Sequence, residues 1–248
     1  MIIGLIHPGS GLGDSVFSYI LTRATAKRLN TRFGIIGDFK GKEFIQLNMG
    51  DQVFMKHHVD HTGKIIIDEP HVLYETKTPY FDPESQFVED GTVVDGCIAQ
   101  DSKYFDTLPL RDWITVTEKR LPLDLCIINL RGGEFRSVPD LILSNDYWSE
   151  AIKRMREINP DMKFEVHTDD LEYAKILFPD FPAVKNMSEN WRSVRYAHYL
   201  ILSNSAFGII PALLNTNAKL IIAPRYWARR NTKQWSMPSN WYPKFTYI

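Results

Sequence analysis

The sequence predicts an α/β chain of two halves, each with a mostly parallel sheet and crossover helices. Three observations lead there. From about Leu123 onward, apolar runs (DLCIINL, KFEVHT, AVK, YLILS, KLIIAP) alternate with amphipathic helical stretches, as parallel strands with helical crossovers require. The N-terminus reads as strand, glycine loop, helix and strand. Finally, 248 residues are many for one hydrophobic core and few for two independent domains.

The elements follow in order. Met1 to Ile6 is an apolar run stopped by Pro8 and the glycines Gly9, Gly11 and Gly13. From Asp14 to Leu29, Val16, Phe17, Ile20, Leu21 and Ala24 share one helical face, with Arg23, Lys27 and Arg28 late in the stretch, where cations suit a helix C-terminus. Phe33 to Gly37 is the next strand, followed by strands at Lys64 to Asp68, Val72 to Glu75 and Thr92 to Gly96. The segment TEKRLP, residues 117 to 122, reads as a hinge, so the halves are 1–120 and 121–248. In the second half, helices are predicted at Asp146 to Ile158, Asp169 to Phe178, Glu189 to Tyr196 and Ala206 to Leu214. The first of these is capped by Ser144 or Asn145 and ended by Asn159-Pro160. The C-terminal aromatics Trp227, Trp235, Trp241 and Tyr242, interleaved with Arg225, Arg229, Arg230 and Lys233, read either as a surface for a sugar or a nucleic-acid single strand or, in preference, as a tail packed back over the protein, on the N-terminal half.

Lys and Arg total 29 against 30 Asp and Glu, too balanced for a chain built to wrap nucleic acid. No apolar run reaches 18 residues and no leader pattern opens the chain, so a cytoplasmic protein without a transmembrane segment is expected. Cys97 and Cys126 lie in apolar runs and read as buried thiols. The cluster His57, His58, Asp60 and His61 sits in a polar connection, and no metal site is expected there.

Four constellations carry possible chemistry. A G-x-G-x-x-G fingerprint begun at Gly9 needs glycine at position 14, where the chain has Asp14. The loop is then either a tight strand-to-helix turn or the seat of a base, with Asp14 taking a proton from a hydroxyl. An NAD-binding reading would use Asp38 on a ribose. The second is Asn129 to Phe135, at the carboxyl end of a buried strand, where Arg131 suits a phosphate or pairs with Glu134 on the surface. In the third, Thr168-Asp169-Asp170, the acids either cap a helix or accept hydrogen bonds from a base or sugar. Adjacent acids without further oxygen ligands are not a divalent-metal site. The fourth, Ser203-Asn204-Ser205-Ala206-Phe207, is an anion cradle at a helix start or an ordinary N-cap.

The order of these blocks resembles the α-1,2-fucosyltransferases of glycosyltransferase family 11 and the wider fucosyltransferases of GT-B fold. The family's G-G-L-G-N-Q-x-F-x-Y is echoed by Gly11 to Tyr19, and its G-Y-x-Q-x-x-K-Y-F by Gly96 to Phe105. Its H-x-R-R-G-D-Y resembles Asn129 to Phe135, its F-S-D-D resembles His167 to Asp170, and its S-N-S-T-F-S-W-W resembles Ser203 to Ile210. The resemblance implies two Rossmann-like halves facing a cleft, with the acceptor on the side of 1–120 and the donor on 121–248. The implied reaction is inverting and metal-independent, with no cofactor beyond the donor. A sugar, fucose or related, would pass from a nucleotide diphosphate, GDP-linked, to a glycan hydroxyl. Arg131 would neutralise the diphosphate, Asp169 or Asp170 would contact base or ribose, and Ser205 with the following amides would hold phosphate. Gly11, Gly13, Asn129, Ser203, Asn204 and Phe207 complete the binding set, and Glu134 stands with Asp14 and Arg131 among the catalytic residues. The chain departs from the family at Asn129, Gly132, Glu134, Ile209 and Ile210. Its G-x-G-D loop also resembles heptosyltransferases, where the acid is the base. The alternatives are therefore a heptosyltransferase-like enzyme, a non-catalytic nucleotide-sugar-binding protein and, last, an NAD-dependent oxidoreductase.

Overall fold

The computed structural model describes residues 1–75, 89–95, 108–225, 228–230, 234–236 and 242–248. The block Gly96 to Phe105 with Cys97, together with Trp227, Lys233, Trp241 and the side chains of Arg229, Arg230 and Trp235, lies outside the described residues. The chain divides into two compact units, Met1–Thr115 and Val116–Ile248.

The first unit runs β1 (Ile2–Ile6), α1 (Leu12–Arg28), β2 (Phe33–Gly37), β3 (Ile45–Leu47), β4 (His57–Val59), β5 (Ile65–Ile67), β6 (Val72–Glu75), β7 (Thr92–Asp95) and α2 (Leu110–Trp113). β8 (Ile114–Val116) carries the chain into the second unit. The main sheet is all-parallel in the order β2-β1-β7-β6. Every residue of β1 is buried, which is why it reads as one continuous apolar run. Ile2 packs with Leu21 and Ala26 of α1, whereas Ile3 and Leu5 pack with Ile36, Ile65 and Val93 on the other side.

β4 and β5 form an antiparallel hairpin. β4 leaves no apolar run or alternation to read, because all three of its residues are exposed. Asp60 closes the turn by accepting from the Thr62 and Lys64 amides at 2.8 and 3.0 Å. The histidine-rich segment is thus hairpin chemistry, and no cluster able to hold a metal occurs among the described residues. His7, just past β1, ties the layers together. Its Nδ1 accepts from the Ile65 amide at 2.9 Å, and its Nε2 lies 2.6 Å from Asp95 at the end of β7.

The second unit contains β9 (Leu125–Leu130), α3 (Asn145–Ile158), β10 (Lys163–Thr168), α4 (Leu171–Leu177), β11 (Ala183–Val184), α5 (Met187–Tyr196), β12 (Tyr199–Leu202), α6 (Ala206–Leu214), β13 (Leu220–Ala223), the hairpin strands β14 (Ala228–Arg230) and β15 (Gln234–Ser236), and β16 (Thr246–Tyr247). The sheet is all-parallel, in the order β11-β10-β9-β12-β13-β16. This is the doubly wound arrangement: the first strand is central and the winding direction reverses between β9 and β12. The α/β reading with mostly parallel sheets therefore holds.

Cys126, Ile128 and Leu130 of β9 face Trp148, Ala151 and Met155 of α3 in one core. Residues of the opposite face meet α5 and α6: His167 bonds Asn190, and Asn129 abuts Gly208. Burial pushes the Cys126 thiol well above its ordinary pKa, as expected for an inert thiol. At the C-terminal end of the described residues, β16 pairs with β13 and extends this unit's own sheet. Lys244 reinforces this end by donating to the carbonyls of Ala212, Leu213 and Asn215 at the end of α6. No helix among the described residues is long and apolar enough to cross a membrane.

Candidate active site

In a doubly wound sheet, ligands bind beyond the carboxyl ends of the strands where the winding reverses. In the second unit that point lies between β9 and β12. Arg131 follows β9 directly. Its Nη1 donates to Asp169, its Nη2 donates to Glu134 at 2.7 Å, and its guanidinium lies 5.3 Å from the Phe135 ring centre. The second Asp169 oxygen accepts from the Gly132 amide at 2.8 Å, so one carboxylate fixes both the backbone and the guanidinium of this turn. Gly133 has φ +40°, and a Cβ there would lie 2.5 Å from Asp169, so glycine is required by conformation and by space.

Asp170 is one of the two acids expected either to cap a helix or to contact base or ribose. It caps α4, accepting from the Tyr173 amide at 3.0 Å, and pairs with Arg136 at 3.2 Å. The Tyr173 amide, with help from Arg136, holds its carboxyl below the ordinary carboxylate range. Asp169 holds Arg131 and the Gly132 amide. Arg136, which sequence reasoning missed, also lies 5.5 Å from the Tyr173 ring centre. A 3₁₀ turn at Gly133–Ser137 brings it beside the acid pair.

Across the switch point, Ser203, Asn204 and Ser205 are all nearly buried. Asn204 donates to the Leu141 carbonyl at 3.1 Å, and Ser205 is the N-cap of α6 without a side-chain cap bond. Asn129 is buried beside Ser203 and against Gly208. Phe207 packs edge-on against Trp191, with ring centres 5.2 Å apart. The structure therefore brings together Arg131, Glu134, Asp169 and Asp170, with Asn129 and Ser203 to Ser205 on the neighbouring strand ends.

Asp14, Gly11 and Gly13 belong to the first unit. Gly11 is the N-cap of α1, Gly13 is buried, and Asp14 sits half-buried in the first turn. A Cβ on Gly11 would meet the Asp14 carboxylate at 3.2 Å, so this acid leans back over the loop. Asp38 accepts from the Phe39 amide and pairs with Lys42 at 2.5 Å on the surface, which gives it a local turn role.

No protein-family profile and no curated relative matches the chain. Among solved structures, it is similar to the crystal structure of Se-Met fucosyltransferase NodZ from Bradyrhizobium, at 15% identity over 86% of this chain and 91% of that one, with a TM-score of 0.49. It is also similar to NodZ alpha-1,6-fucosyltransferase soaked with GDP-fucose, at 16% identity over 86% and 92% of the two chains, with a TM-score of 0.48.

Proposed function

We propose that the protein is an inverting, metal-independent glycosyltransferase. It moves a sugar, fucose or a related one, from a nucleotide diphosphate, GDP-linked, to a glycan hydroxyl. The observation that carries this reading is Arg131 at the switch point of the second unit's sheet, oriented by Asp169 and one strand away from the start of α6. As the bond from the anomeric carbon to the diphosphate breaks, negative charge grows on the phosphate oxygens, and a guanidinium held in place stabilises it. The cluster carries two guanidinium groups, Arg131 and Arg136, against three carboxylates, Glu134, Asp169 and Asp170. Glu134 is the most exposed of the three, and an incoming diphosphate displaces it. We assign Asp14 of the first unit as the base that takes the acceptor proton, on the strength of its first-turn position beside a glycine loop.

Calorimetry with GDP tests the reading. A charge-assisted hydrogen bond contributes about 1.5–3 kcal/mol, and about 1.4 kcal/mol is tenfold in Kd. Arg131→Ala is therefore expected to weaken GDP binding by roughly 10- to 150-fold. Unchanged affinity would remove Arg131 from the donor site. Asp14→Asn is expected to lower turnover while leaving the GDP Kd unchanged. The G-x-G-D loop also fits heptosyl transfer, and ADP and UDP in the same titration separate the donors.

A further inference from the structure

We infer that His167 is a positioning residue for the donor-binding Arg131, acting through a proton that it shares with Glu165. This deepens the donor reading above and rests on it. His167 is fully buried near the end of β10, two residues before Asp169, and both of its ring nitrogens are engaged. Nδ1 lies 2.9 Å from the side-chain oxygen of Asn190 on α5, and Nε2 lies 2.6 Å from the Glu165 carboxyl.

The partners fix where the protons are. Asn190 Nδ2 donates to the Thr168 carbonyl at 2.9 Å, so the amide oxygen, which can only accept, faces His167. Flipping the amide would set that oxygen against the carbonyl oxygen. His167 Nδ1 therefore carries a hydrogen. A neutral imidazole has no second one, which leaves Nε2 bare in front of Glu165, and an ionised carboxylate also only accepts. The contact at 2.6 Å is thus a hydrogen bond only with one more proton, on the ring or on the carboxyl. Without that proton, either tautomer of the ring sets acceptor against acceptor at one of its two contacts.

The network reaches the site through a single peptide. The Thr168 carbonyl that Asn190 holds belongs to the same planar unit as the Asp169 amide, and the Thr168 hydroxyl accepts from the Asp170 amide at 3.0 Å. Asp169 in turn holds Arg131 and the Gly132 amide. When the shared proton leaves, the ring loses a bond, its hold on Asn190 weakens, and the peptide that aims Asp169 is freed. Among the described residues, the charged groups that act on the ring are Glu165 on its own strand, Glu189 on α5, and Lys119, which lies before β9 and pairs with Glu189 at 2.6 Å. The neighbours in register on β9 and β11, Asn129 and Val184, do not titrate. Burial disfavours a charged ring and lowers the His167 pKa, against the opposing pull of Glu165. The proton therefore leaves as pH rises through a value below the ordinary histidine pKa of about 6.5. Arg131 is held best on the acid side of that value.

The test is calorimetry with GDP on the full chain at about pH 5 and about pH 8, on either side of the histidine range. In Glu165→Gln the side-chain amide donates to Nε2 of the neutral ring, so the network is complete without the shared proton. The ratio of parent to variant Kd, in which the titration of GDP itself cancels, should rise roughly 2- to 30-fold between the two pH values. His167→Phe removes both bonds and should weaken GDP by a similar factor at about pH 5. Nitrogen NMR of the His167 ring reads the protons directly, and Nδ1 should stay protonated at both pH values. A Kd ratio that does not move with pH, or a neutral ring with its hydrogen on Nε2, would overturn the inference. If the parent protein binds GDP at neither pH, the donor reading itself fails. If it binds GDP and the ratio stays flat, the donor reading survives and the positioning role does not.

Discussion

Glu134→Gln is expected to tighten GDP binding, and the structure sets the size of the effect. Glu134 contacts Arg131 at 2.7 Å, with side chains 75% and 29% exposed, so the pair sits on the solvent side of the cluster. Pairs of this kind contribute about 0.2–1 kcal/mol. The amide removes a charge that competes with phosphate for the same guanidinium, and Asp169 still orients the arginine. At about 1.4 kcal/mol per tenfold, the GDP Kd should fall roughly 1.4- to 5-fold. Calorimetry at two salt concentrations checks the origin of the gain. The screening length shrinks from about 10 Å at about 0.1 M to about 3 Å at about 1 M, so the ratio of variant to parent affinity should approach unity at high salt. Weaker GDP binding in the variant at low salt would show that Glu134 holds the donor and does not compete with it. A collapse of turnover with tightened binding would return Glu134 to the chemistry.

Two further outcomes follow from packing and charge. In Gly208→Ala, the new methyl would overlap the Asn129 side-chain oxygen. The helix-propensity gain of about 1 kcal/mol is then outweighed by an overpacking cost of about 1–3 kcal/mol, so urea should unfold the variant at a lower midpoint; a raised midpoint would show that the strand end yields freely. For Asp170, the folded-state pKa lies below its ordinary value, so its stabilisation is complete above about pH 4 and is lost as pH falls through the lower folded value. Asp170→Asn keeps a cap on α4 but has nothing to titrate, so its stability loss between about pH 5 and about pH 2 should be smaller than the parent's, and parallel curves would contradict this.

The sequence was most legible where local signals agreed. Ala206–Leu214 and Phe33–Gly37 match the predicted spans, and α3 begins one residue earlier than expected because Ser144 caps it, accepting from the Tyr147 amide. Three-residue strands such as β3 and β4 are too short for a period, and β16 exists only through its pairing with β13. The site was half legible. Arg131 follows from a strand that ends in glycines, but which acid of the Asp169-Asp170 pair would hold it depends on how the strand end enters α4. Arg136 arrives through a 3₁₀ turn that leaves no sequence period. His7 and Asp95 meet across 88 positions, a separation that no local pattern reveals.

The short strand β16 also bears on how the protein should be handled. It covers part of one edge of β13, three of whose four residues are buried, by pairing Thr246 with Ile222 and Tyr247 with Ala223. Removing residues 242–248 would uncover an apolar, hydrogen-bond-hungry strand edge of the kind that recruits other chains. Shortened versions should therefore precipitate or self-associate in proportion to protein concentration, and affinity tags are better placed away from this end.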